Sequence, residues 1–183
     1  VADALFDLIF GRLKAGKTAE AVIASVLALL CCVASISELH DYRETTIADT
    51  RIAKAAATAF ESVDFNEKDS IWLLNVDASY VSDGNFYYHE HDYGVTSSAW
   101  ALTGAVETYC GDVPTISPVS TFRHFVIDES EIGKSKVFFL TGNSVVPVSM
   151  IKYSDSVWRI LSKSGGTIGT LTYSDGGLTL KLK

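Results

Sequence analysis

Residues 11 to 18, "GRLKAGKT", fit the phosphate-cradling pattern G-x-x-x-x-G-K-[ST] letter for letter. In that chemistry backbone N–H groups hold the phosphates, the lysine reaches the β and γ phosphates, and the hydroxyl meets magnesium. Two further stretches carry residue types suited to chemistry. "NVDASY" ends an apolar run on Asp77, as do the segments that hold magnesium in nucleotide enzymes, and "HEHD" sets His89 and His91 on one face of a strand with Glu90 on the other. Two imidazoles leave a zinc site incomplete, and only His40, His124, Cys110 and unplaced carboxylates remain to complete it. The "HEHD" pair therefore reads as an exposed polar strand. No G-x-S-x-G, H-E-x-x-H or C-x-x-C occurs. No catalytic residue, metal or cofactor is expected, and the chain is not read as an enzyme.

A phosphate loop needs a strand before it, a helix after it, and a parallel sheet in which strands alternate with helices. "ALFDLIF" could supply the strand, but Arg12, Leu13 and Lys14 occupy positions where close approach to phosphate favours small residues. The stretch behind Thr18 is also unlike a nucleotide-binding helix. Between Glu20 and Glu38 lie 17 uncharged residues, positions 21 to 37, and the span extends over 18–37, taking in Thr18 and Ala19, only where Glu20 reaches the membrane interface. A membrane helix needs roughly 17 to 25 apolar residues, whereas about 10 to 14 would suit a core helix. The alternative is a fully buried soluble helix. No small-residue cleavage site marks the segment as a removable signal sequence.

The flanks fit the membrane reading. In 1–17, Leu5, Phe6, Ile9, Phe10 and Leu13 share one side of a helix while Asp3, Asp7 and Lys14 share the other, which suits a segment lying on a membrane surface. Arg12, Lys14 and Lys17 crowd this end against Arg43 alone near the other, so the N-terminal side is expected in the cytoplasm. Inside the span, Ala24, Ala28 and Cys32 recur every four residues, a stripe of small side chains that lets helices approach closely in lipid. That face is expected to mediate helix–helix contact between copies.

From 38 to 64 the chain is polar, rich in helix formers and free of Gly and Pro, so the helix is expected to continue as a stalk. Ile52, Ala56, Ala59, Phe60 and Val63 give the stalk one apolar stripe with which it is expected to pack on the domain. Residues 65–183 read as an α+β domain that is mainly antiparallel. "SIWLLNV" and "ASYV" are strands, "FYYHEHDY" closes a hairpin, and "SSAWALTGAVETYCG" is one helix capped by Ser97 or Ser98 and stopped by Gly111. Then come "VSTFRHFVI", "KVFFL", "SVVPVSMI", "SVWRILS", "TIGTLTY" and "LTLKLK", parted by short turns and with no crossover helices.

With a net charge of −7 and no basic run in its 183 residues, the chain is not expected to bind nucleic acid. Of three cysteines, Cys31 and Cys32 lie in the apolar helix, so there is no disulfide framework. "LFDLIFGRL", a "GK" before a single span, a polar helix ending in "TAFESV" and an extramembrane α+β domain together resemble the holins of T-even-type bacteriophages. The resemblance covers about the first 65 residues. It implies a single-span inner-membrane protein with a cytoplasmic N-terminus and a periplasmic domain, whose assembly opens lesions and whose domain can bind a regulatory antiholin. That family carries a cysteine pair in its domain where this chain has Cys110 alone. The expected partners are the lipid bilayer, further copies of the chain and a regulatory protein. The rival expectation keeps the span but places the domain in the cytosol, where it binds a small ligand or nucleotide signal.

Overall fold

A computed structural model of the chain describes residues 17–66, 68–76, 94–121 and 123–183. Helix α1 runs Lys17–Phe60, and the chain divides into two compact units, Val1–Tyr42 and Arg43–Lys183. The described part of the first unit is helix throughout. The second unit therefore claims the last part of α1, and its boundary falls at Arg43 where the sequence suggested Phe65. The cause is the apolar stripe. Ala48, Ile52, Ala53, Ala56, Ala57 and Phe60 recur at helical spacing and are all buried, so this stretch packs on the domain as its stripe predicts and contributes to the core.

The helix ends at Phe60, four residues before the expected position 64. Glu61 still donates its N–H to the Ala57 carbonyl at 3.0 Å, but Val63 turns back onto the Phe60 carbonyl at 2.9 Å. The turn lets Phe65 fold edge-on against Phe60, with ring centroids 5.6 Å apart, while Phe138 meets Phe60 from the sheet at 4.8 Å. Lys136 fixes the link. Its ammonium donates to the Asp64 carbonyl, pairs with the Asp69 carboxylate at 2.9 Å, and lies 4.7 Å from the Phe65 ring centroid.

The rest of the domain is built on two sheets. The first holds β1 (Ile71–Leu74), β2 (Ile116–Val119), β4 (Lys136–Thr141) and β5 (Ser144–Pro147) in the order β2-β1-β4-β5. The second holds β3 (Phe125–Val126), β6 (Ser149–Ser154), β7 (Val157–Leu161), β8 (Thr167–Ser174) and β9 (Gly177–Leu182) in the order β3-β9-β8-β7-β6. All four residues of β1 are buried, as a strand covered on both faces must be. Ile71 and Leu73 join Ile52, Ala56 and Phe60 of α1 and Leu102 and Val106 of helix α2 (Ala99–Cys110) in one core. Trp72 and Leu74 join Trp158, Ile160, Leu171, Leu178 and Leu180 of the second sheet in another. The unit is thus layered as helices, mixed sheet and antiparallel sheet.

The expected α+β class holds, with one short helix in a mainly β domain. Gly111 stops α2 as expected, with a left-handed φ of 79°, and Ser98 holds the position before its first residue, but the Ser98 side chain makes no capping hydrogen bond. Three local expectations change. β4 and β5 form the expected hairpin, but β1 lies parallel to both β2 and β4, and α2 lies on the crossover from β1 to β2, so hairpins alone do not account for the first sheet. "VSTFRHFVI" is two strands in different sheets, because the Ser120 hydroxyl accepts the Arg123 N–H at 3.0 Å and turns the chain between them. "SVVPVSMI" also divides. Pro147, which has no N–H to donate, ends β5, and the chain passes through Val148 into β6 of the other sheet. "ASYV" and "FYYHEHDY" lie outside the described residues.

The last hairpin is set by Asp175 and Gly176, whose φ values of 51° and 76° are those of a type I′ turn. It pairs Tyr173 with Leu178 and Leu171 with Leu180, which delivers the apolar residues of β8 and β9 to one core. Leu73→Ala, in a strand buried on both sides, is expected to lower unfolding free energy by about 2 to 5 kcal/mol. Ile151→Ala, at a side chain 46 % exposed, is expected to stay within about 0.5 kcal/mol. Urea unfolding followed by tryptophan fluorescence measures both, and equal effects would contradict the layered arrangement.

Candidate membrane-spanning helix

The early part of α1 has the composition of a core and the exposure of a surface. Leu29 is 64 % exposed, Leu30 60 %, Ile36 67 % and Leu39 69 %, and none of the apolar window is buried within the chain. Farther along, Ile52 is 1 % exposed and Ala56 0 %. A core helix of a soluble protein would be covered by its own chain. Among the described residues this is the one helix long and apolar enough to cross a membrane.

A helix suits lipid because its backbone groups bond within the segment. The polar side chains in the span make few further demands. The Ser25 hydroxyl donates to the Ala21 carbonyl at 2.8 Å, so it is satisfied without an outside partner. Ala24, Ala28 and Cys32 are all exposed, one turn apart along the helix. Cys31 and Cys32 are exposed free thiols. Lys17 is the first residue of α1, whereas Arg12 and Lys14 lie outside the described residues.

The chemistry suggested by the motifs gains no geometry. The strand that a phosphate loop needs in front of it falls outside the described residues, and every strand of the four-stranded sheet comes after α1 in the chain. His89, His91 and Asp77 are also outside them. Among the described residues no three His, Cys, Asp or Glu side chains come together as a metal site. Cys110 is half-buried, and burial, with the negative charges of Glu61 and Glu107, pushes its thiol up and away from the reactive thiolate.

Nothing in the sequence marks two polar clamps in the domain. One is the Lys136 cluster. The other is Asp49, half-buried on α1, whose carboxylate accepts the Val95 N–H at 3.0 Å. Gly94 makes this approach possible, since a Cβ there would lie 2.1 Å and 2.3 Å from the two carboxylate oxygens. The clamp fixes the chain just before α2. The only trace in the sequence is a glycine between Tyr93 and Val95, which reads as a turn.

Burial pushes the Asp49 carboxyl up, and the Val95 N–H offsets part of that rise. A carboxyl that titrates higher folded than unfolded binds more protons in the folded state, so Asp49 lowers stability as pH rises from 3.8 through its folded pKa. Asp69 and Asp128 act oppositely. Backbone N–H donors, from Asn66 and Ser130 respectively, hold their carboxyls below 3.8, so that contribution is present above 3.8 and is lost as pH falls through the folded values. Asp49→Asn, which keeps an acceptor for Val95, is expected to remove this one residue's contribution, so that stability rises more, or falls less, between 3.8 and higher pH than in the unaltered chain. Gly94→Ala is expected to cost about 1 to 3 kcal/mol at neutral pH by displacing the carboxylate from its donor. Urea midpoints across the pH series test both. An unchanged slope in Asp49→Asn would mean that another group carries it.

No protein-family model matches the chain, nor does any curated protein or any solved structure.

Proposed function

We propose that the chain is a non-enzymatic, single-span membrane protein that self-associates in the bilayer and perturbs it, with its α+β domain controlling assembly. The observation that carries this reading is the apolar stretch of α1, long enough to span and with none of its residues buried among the described residues. In water its exposed leucines, valines and isoleucines would each cost roughly 1.5 to 3 kcal/mol relative to burial, and lipid removes that cost without a protein partner. The small residues then supply contact between copies. Lipid is as apolar as leucine, so helices associate in it through close packing, for which Ala24, Ala28 and Cys32 leave room.

The holin-like form of this proposal rests on the order of elements and on the basic residues Arg12, Lys14 and Lys17 before the span. It places the N-terminus in the bacterial cytoplasm, the span in the inner membrane and the domain in the periplasm. Assembly of copies opens the membrane and times host-cell lysis, and a regulatory protein acts on the domain.

Insertion is tested by extraction. The chain is expected to stay in the membrane fraction through alkaline carbonate, and Leu29→Arg to weaken insertion, because a central arginine costs about 2.5 to 3.5 kcal/mol. A reporter fused after Lys183 that works only in the periplasm agrees with this topology. Full recovery in the soluble fraction without detergent would end the membrane reading, and cytosolic activity of the reporter would reverse its orientation.

Self-association has a separate signature. Ala28→Leu keeps the span apolar but adds bulk on the small-residue face, so crosslinked oligomers and membrane leakage are expected to fall together while insertion persists. Leu29→Phe, about 100° round the helix, is expected to change neither. Oligomers and leakage unaffected by Ala28→Leu would move the contact to another face or to the domain.

A further inference from the structure

One face of α1 within the domain borders a groove of about 630 Å³, closed on its other side by the β4–β5 turn and the start of β5. The size is that of a small-molecule site. Ile47, Ala55 and Val145 give it an apolar floor, while Thr58 and Ser144 offer hydroxyls. Arg51 and Lys54 stand on the helix wall about one turn apart, both exposed, and no carboxylate is among the described residues that line the groove. In a chain of net charge −7, two cations with no acid opposite them are an unusual concentration of positive field. Neither makes an ion pair among the described residues, whose salt bridges are those of Lys134 and Lys136. Lys54 has only the Tyr109 ring, 5.4 Å from its ammonium to the centroid.

We propose that this groove binds a phosphate ester with an apolar body, the phosphate held by Arg51 and Lys54 and the body laid on Ile47, Ala55 and Val145. A guanidinium presents paired donors that match phosphate oxygens, and the ammonium three residues on, on the same side of the helix, adds a point charge beside it. The hydroxyls of Thr58 and Ser144 add neutral donors for the remaining oxygens. Addition of a peptide strand to β5 fits the groove less well. β5 has four residues and ends on Pro147, which has no N–H to give. The phosphate ester could come from a soluble nucleotide or from a phospholipid headgroup, which share this chemistry.

The test uses the full chain in a neutral detergent, titrated calorimetrically with ATP, with dihexanoyl phosphatidic acid and with pyrophosphate. Saturable binding of ATP or of the short lipid is expected, tighter than that of pyrophosphate and weaker at high salt. ATP alone would identify a soluble ligand, the short lipid alone a membrane-derived one. The double change Arg51→Gln with Lys54→Gln is expected to weaken binding at least tenfold, and Ser144→Asp, which sets a negative charge on the opposite wall, to do the same without touching the helix. Lys152→Gln, a cation beside Trp158 and outside the groove, is expected to leave binding unchanged. So is Lys17→Ala. Absence of binding by all three probes would overturn the proposal, as would pyrophosphate binding as tightly as the esters. Loss of ATP binding in Lys17→Ala and not in the groove variants would overturn it too, by assigning the nucleotide to "GRLKAGKT".

Discussion

The domain depends on one short strand that has no contact with solvent. Ile71, Trp72, Leu73 and Leu74 alternate between two cores, so β1 is the wall that the helices and the second sheet both pack against. A strand covered on both faces cannot alternate apolar with polar residues, and "IWLL" does not. Its neighbours on either side, β2 and β4, run parallel to it, which requires the chain to leave the sheet and return through α2. The helix layer exists because β1 needs a cover on the Ile71 and Leu73 side. The five-stranded sheet meets the same need on the other side with Trp158, Leu171 and Leu180.

This dependence explains which parts of the fold were legible in the sequence. Hairpins are local events, and Asp175-Gly176 announces its turn in two residues, so β8 and β9 could be placed without knowing anything distant. The partners of β1 are distant in sequence. Leu74 pairs with Val119 on one side and Phe139 on the other, and no local pattern reports a pairing across 45 or 65 residues. The division of "SVVPVSMI" had a local signal in Pro147, but the change of sheet after it is settled by where Val145 and Met150 find cover. Periodicity showed the apolar stripe from Ile52 to Phe60 and could not say how much of the helix belongs to the domain, because that depends on the depth of the sheet beneath it. Of the candidate site, the composition of the span was fully legible and the clamps of Asp49 and Lys136 were not. Each joins residues 46 or more positions apart, Asp49 to Val95 and Lys136 to Asp64.

Helix α1 shows how one secondary structure can be specified by two different environments. Over 21–37 it is apolar all round, so no face is chosen and any apolar surroundings satisfy it. Over 48–60 it is amphipathic, with alanines on the buried face where the sheet comes close and with Arg51, Lys54 and Thr58 exposed. Alanine serves both regimes. In the domain it lets α1 sit close to Ile71 and Leu73, and on the proposed reading the same small side chain leaves space in the bilayer for another helix. The change from one regime to the other begins at Glu38, where charge first returns to the helix.

A domain can control assembly in the membrane only if some interaction it makes differs in free energy between the separate and the assembled chain. A ligand bound equally well by both states would change nothing, however tight. The groove beside Arg51 and Lys54 matters in this respect because its helix wall belongs to α1, the same element that carries Ala24, Ala28 and Cys32. Anything that alters the groove's preference for one state alters assembly by the same free energy, and assembly must in turn alter the groove's affinity by the same factor. If the groove does bind a ligand and the chain does assemble, a coupling of about 1 to 3 kcal/mol between the two would shift the balance roughly 5- to 150-fold. Control of this kind needs no enzyme and no covalent change. It needs a helix shared by two sites and a ligand that distinguishes the states.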